Sequence, residues 1–168
     1  MPIRNWMIKW SVYSLALLLV YFLQTLVTDR ILIFGVRPDL IPVAIAAVAV
    51  LEGGVGGAGF GLGAGLFSLA VFHSAGILAL LIYPLAGALV GLLAEYVLQN
   101  TFLSCALCVL IFFTVLELWR ILPPLIGGAA FLPLLGIALP EFLYSLLFTL
   151  PVYALFRSVY KRVGGFWL

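Results

Sequence analysis

The chain has 168 residues, of which 66% are apolar and only 14 are charged, eight Lys or Arg and six Asp or Glu. Soluble domains carry about 25% charged residues, and so few cannot cover a water-exposed surface of this size. A water-soluble enzyme, a disordered chain and a nucleic-acid binder are excluded, because the net charge of +2 is also too small and dispersed to attract polyanions. What is left is an integral membrane protein with almost no mass outside the bilayer.

A span needs about 20 residues, and the sparse charges act as punctuation between spans. Residues 10–28, uncharged between Lys9 and Asp29, predict the first span, with Arg4 and Lys9 ahead of it. No small-x-small cleavage site follows Leu26, and the apolar run is too long for a signal-peptide core, so this helix is expected to stay uncleaved. Only 12 uncharged residues separate Asp39 from Glu52. At the helical rise they cover about 18 Å, which predicts a short second span over 38–52. Pro38 suits its start and Asp39 suits the dipole of its first turn.

The next 42 residues, 53–94, are uncharged and too many for one helix. Their most polar interruption, Phe72-His73-Ser74-Ala75-Gly76, divides them into spans near 56–72 and 76–97. A fifth span is expected over 102–120, closed by Glu117 and Arg120, and a sixth over 141–160, ending in Arg157, Lys161 and Arg162. Between these two, residues 121–140 hold Pro123, Pro124, Gly127, Gly128, Pro133, Gly136 and Pro140. Proline removes a helix donor, and unpaired backbone is costly in lipid. That predicts a broken outer connector, either partly re-entrant or lying at the surface.

The expected fold is thus an all-α, six-helix transmembrane bundle, one domain over residues 1–168. Arg4, Lys9, Arg157, Lys161 and Arg162 fall on one side of such a bundle, with Arg30, Arg37 and Arg120 on the other. The positive-inside rule then places both termini in the cytoplasm. Trp6, Trp10, Tyr160 and Trp167 fit an inner aromatic belt and Trp119 an outer one.

Eight of the 17 glycines lie within residues 53–65. Gly54-Val55-Gly56-Gly57-Ala58-Gly59 matches G-x-G-x-x-G in form, but no acid occurs between Glu52 and Glu95 to hold a ribose, so a dinucleotide site is rejected. Spacing explains more. Gly53, Gly57, Gly61 and Gly65 recur every four residues, as do Gly59 and Gly63, and later Gly87 and Gly91. Small residues at that interval let helix backbones approach closely. They serve either packing inside the bundle or a face for another protein's helix, and one helix can do both on different sides.

Chemistry-bearing residues are few. Cys105 and Cys108 sit one turn apart on an apolar span and are expected to pack as small hydrophobes rather than bind metal or cycle redox. His73 stands alone and belongs to a turn. No nucleophile elbow and no pair of acids at metal-binding spacing occurs, so no catalytic, cofactor or metal site is predicted. An enzyme acting on lipid within the bilayer would need clustered acids or a nucleophile with a base, which the charge pattern does not supply. Charges near membrane depth are functional candidates by default. Glu52 and Glu95 fall near the inner boundary, Asp39 and Glu141 near outer helix starts, and Glu117 and Arg120 lie three apart and can pair. Arg37 and Asp39, flanking Pro38, are best placed to orient a partner or ligand at the outer mouth.

The order of these features resembles the bacterial rod-shape-determining MreD family over about residues 10–162. Arg37-Pro38-Asp39-Leu40-Ile41-Pro42 opens a short second span, and Gly59-Phe60 followed by Gly63 marks the third. Gly76 begins the fourth, and a sixth span interrupted by Pro151 ends in basic residues. The resemblance implies a non-enzymatic, cofactor-free subunit of the inner-membrane machinery for lateral wall growth. Its implied partners are the single-span protein MreC, with MreB filaments, the RodA glycosyltransferase and its penicillin-binding transpeptidase in the same complex. Phe67 stands where the family often carries an acid, and the glycine run at 53–65 is unusually dense. The family is also similar in fold to the S components of energy-coupling-factor transporters, so a subunit binding a small ligand is the alternative. Residues 53–94 offer only Ser68, His73, Ser74 and Tyr83 as polar side chains, too few to hold a polar vitamin but compatible with a mainly apolar ligand.

Overall fold

A computed structural model describes residues 3–28, 39–71, 76–96, 102–128 and 131–164, all helical apart from Asp39 and the turn at Gly127 and Gly128. The five helices are α1 (Ile3–Thr28), α2 (Leu40–Val71), α3 (Gly76–Tyr96), α4 (Phe102–Ile126) and α5 (Phe131–Gly164). Helices satisfy every backbone donor and acceptor internally, which is why uncharged apolar runs take this form in lipid. Three of them, Met7–Leu26 within α1, Leu40–Val71 and Ala79–Tyr96 within α3, are long and apolar enough to cross a membrane. That is the pattern of a helical membrane protein.

Two expectations are corrected. Among the described residues there are five continuous helices rather than six: the spans expected at 38–52 and 56–72 run on as one element, α2, but as two helical arms that meet at a single non-helical residue, Gly53 (φ 81°, ψ −173°). This conformation is open essentially to glycine alone, and it turns the helix back on itself. A methyl group added at Gly57 would lie 2.6 Å from the Ala49 Cβ. Residues eight apart in a straight helix are separated by about 12 Å along the axis. The chain therefore doubles back at Gly53, joining a first arm (residues 40–52) to a second arm (residues 54–71).

The proline-rich stretch 121–140 is the second correction. It is no long broken connector: α4 continues helically through Pro123 and Pro124 to Ile126, and α5 starts at Phe131. A turn closes α4, with Gly128 at φ 87° donating its N–H to the Leu125 carbonyl at 3.1 Å. Pro133 falls in the first turn of α5, where a missing N–H costs nothing. Pro140 and Pro151 are carried inside that helix. His73 lies outside the described residues.

Neighbour contacts fix the direction of each rod. α1 runs against the first arm, with Tyr13 meeting Glu52 and Gln24 meeting Leu40. It runs alongside the second arm, with Tyr13 on Phe60 and Tyr21 on Ala64. α3 returns antiparallel to the second arm, placing Gly91 on Gly53 and Tyr83 on Gly61. α4 opposes α3, as Cys108 meets Val90 and Phe112 meets Tyr83. α5 opposes α1, with Phe156 against Tyr13 and Ser145 near the Gln24 end. The first arm forms the central post of this bundle. Every residue from 40 to 51 is buried, and its Ala-rich composition lets neighbours close in on all sides.

Candidate functional site

Burying the first arm creates a polar problem at each of its ends, because a helix leaves orphan N–H groups at its start and orphan carbonyls at its finish. At the start, Asp39 acts as the N-cap. Its Oδ1 accepts from the Ile41 N–H at 3.2 Å and from Gln24 Nε2 at 3.1 Å. Gln24 Oε1 in turn accepts the Leu40 N–H at 2.8 Å, and Ser145 Oγ on α5 accepts the Asp39 N–H at 3.3 Å. Ser145 is itself fully buried, and its carbonyl accepts the Thr149 hydroxyl at 3.0 Å. Three separate rods, α1, α2 and α5, thus meet in one polar knot, with a carboxylate placed where the helix dipole favours it.

At the elbow end a second knot forms. The Lys9 ammonium pairs with Glu52 Oε2, and the Tyr13 hydroxyl donates to Glu52 Oε1 at 2.7 Å. Lys9 and Glu52 are only 17% and 10% exposed in their side chains, so the pair is largely shielded from water. A cation beside the C-terminal end of the first arm also complements its dipole. Glu95 of α3 lies over Gly53, where any side chain at the elbow would strike its carboxylate. Between the two knots, the Tyr21 hydroxyl donates to the Ala64 carbonyl at 2.8 Å and shares a hydrogen bond with Ser68 Oγ.

The repeated glycines divide into two sets. A methyl at Gly57 would lie 2.5 Å from the Gly87 carbonyl oxygen, and one at Gly61 would lie 2.5 Å from that of Tyr83. Gly91 meets the Gly53 and Gly54 backbone, and Gly65 packs on Ala79 and Leu80. Gly53, Gly57, Gly61, Gly65, Gly87 and Gly91 are therefore one seam, sealed by the chain's own α3. Gly59 and Gly63 point the other way and are exposed. A methyl at Gly59 would find only Trp10 Cη2, at 3.5 Å, and one at Gly63 nothing within 4 Å. Trp10 also borders a shallow groove on α1 lined by Met7, Ser11, Ser14, Leu15 and Leu18.

Of the charged candidates, Asp39 sits in the first knot and Glu117 is half-buried on α4. Arg37 and the side chain of Arg120 lie outside the described residues. Phe67 is half-buried against the Tyr21 ring, 4.7 Å between centroids. Cys105 and Cys108 are completely buried, and the Cys108 thiol points at the Val90 carbonyl. Among the described residues no three His, Cys, Asp or Glu side chains gather as a metal site would require. Sequence reasoning missed Gln24, Ser145 and the Lys9–Tyr13–Glu52 knot. The only hint was that Lys9 and Glu52 both mark span ends on the same side.

The chain matches no family model, no curated protein and no solved structure.

Proposed function

We propose that this chain is a non-enzymatic membrane scaffold of the bacterial cell-wall elongation complex, an MreD-like subunit that docks the transmembrane helix of MreC. The observation that carries the proposal is the division of the glycines. One set is consumed in folding the chain, while Gly59 and Gly63 stay exposed on the outer side of the same arm, Gly59 next to Trp10, which also borders the groove with Ser11 and Ser14. Without a hydrophobic force between helices in lipid, small residues that admit a close backbone are what a partner helix needs. The interior polar groups support the same reading, since the knots use them to tie rods together. MreB, RodA and the penicillin-binding transpeptidase would share the complex, in the inner membrane with both termini cytoplasmic.

Co-expression with MreC and purification in detergent tests the proposal. The pair is expected to co-elute, and Gly63→Leu, with nothing within 4 Å of its new Cβ, is expected to release MreC while leaving the thermal unfolding of the subunit unchanged. In the native bacterium, depletion is expected to turn rods into spheres. Cells that keep their rod shape, or MreC that never co-elutes with the unaltered chain, would exclude this function.

A further inference from the structure

The outward stripe of α5 changes chemistry along its length. Leu147, Leu150 and Ala154 recur at helical spacing and are all exposed, while Val152, Tyr153 and Phe156 on the other side are buried. Continued toward the C-terminal end, the same stripe becomes Arg157 and Lys161, with Arg162 on the adjoining side of the helix, and all three are exposed. No acid occurs on α5 from 143 to 162 to neutralise them. The change coincides with the elbow level of the bundle, because Phe156 stacks on Tyr13, which donates to Glu52. Glu52 is occupied there by Lys9 and Tyr13, and Glu95 is drawn over Gly53 on α3. The Arg157 guanidinium is held 5.9 Å over the Tyr153 ring, which limits its freedom before anything binds.

We propose that this face of α5 binds an anionic phospholipid, with the phosphate on Arg157, Lys161 and Arg162 and an acyl chain along Ala154, Leu150 and Leu147. The stripe matches such a lipid in both of its parts and in their order. Arg157 and Lys161 are one turn apart and so can reach the same phosphate, while the apolar stretch supplies the contact that a free phosphate could not use. A zwitterionic lipid would leave the three cations uncompensated.

Native mass spectrometry of the full chain in detergent, titrated with dioleoylphosphatidylglycerol or dioleoylphosphatidylcholine, reads this directly. Phosphatidylglycerol adducts are expected at concentrations where phosphatidylcholine adducts are absent. The triple substitution Arg157→Gln, Lys161→Gln and Arg162→Gln is expected to weaken phosphatidylglycerol binding on the order of a hundredfold at low salt. Lys161→Glu alone, which leaves every buried contact in place, is expected to weaken it in the same direction. Equal affinity for the two lipids, or phosphatidylglycerol binding that the triple variant leaves unchanged, overturns the proposal. A triple variant that keeps the lipid but loses a protein partner overturns it too, and makes this end of α5 a protein contact.

Discussion

Gly57 and Gly87 face each other with no room for one further carbon atom on Gly57, and the obstacle is backbone rather than a side chain able to swing away. Adding a methyl group must push the second arm and α3 apart. Gly57→Ala is expected to destabilise by about 1–3 kcal/mol, the usual cost of overpacking a close interface, seen as a lowered Tm in detergent. Gly63→Ala makes the same gain in helix propensity with nothing within 4 Å of the new methyl, so it is expected to hold or slightly raise Tm and thereby separates packing from propensity. Gly53→Ala should be worse than either, since the positive φ of the elbow and the Glu95 carboxylate both oppose a side chain. Four-residue spacing made the glycine seam legible in the sequence. Its occupant was not, because spacing is identical whether the facing helix belongs to the same chain or another. The cysteines were readable without a partner: on an apolar span Cys105 and Cys108 are expected to pack, and both are fully buried. They are expected to resist maleimide in the folded protein and to react once SDS unfolds it.

At the scale of the element, α2 gathers most of what is unusual here. Its first arm is about 20 Å long, is surrounded on all sides, and is held at one end by Asp39, Gln24 and Ser145 and at the other by Lys9 and Tyr13 on Glu52. Removing either partner of the Lys9–Glu52 pair leaves a shielded charge with less compensation. Lys9→Met and Glu52→Gln are each expected to cost about 1–3 kcal/mol, between the values for exposed and fully buried pairs. The double variant should cost clearly less than the sum, measured as a double-mutant cycle in SDS unfolding titrations. Additive losses would mean that the two groups do not stabilise each other. The charge pattern located both ends of this arm, since Asp39 and Glu52 bound its uncharged residues. It could not show that the elbow is a single glycine, nor that a lysine 43 residues away closes it. The proline-rich stretch misled for a related reason: a count of prolines ignores position, and Pro133 lies in a first turn where it removes no hydrogen bond.

For the whole molecule, the doubling of α2 decides the geometry of the ends. α1 runs away from the elbow end, the first arm returns, the second arm leaves again, α3 returns, α4 leaves and α5 returns. Both the start of α1 and the end of α5 therefore lie at the elbow end, in the company of Lys9, Arg157, Lys161 and Arg162. Had α2 been straight, one 32-residue rod would replace two arms, and the basic tails would be split between opposite faces. The positive-inside rule penalises that split, so the conformation of Gly53 and the distribution of cations favour the same arrangement. Single cysteines report on it in a background where Cys105 and Cys108 are replaced by Ala. Met7→Cys and Arg162→Cys are expected to label with a membrane-impermeant maleimide only after the cytoplasmic face is opened. Ile126→Cys, 81% exposed at the far end of α4, is expected to label in intact spheroplasts. Labelling of Met7→Cys and Arg162→Cys from opposite faces would show that α2 crosses the membrane once, and would remove the elbow from the account of this fold.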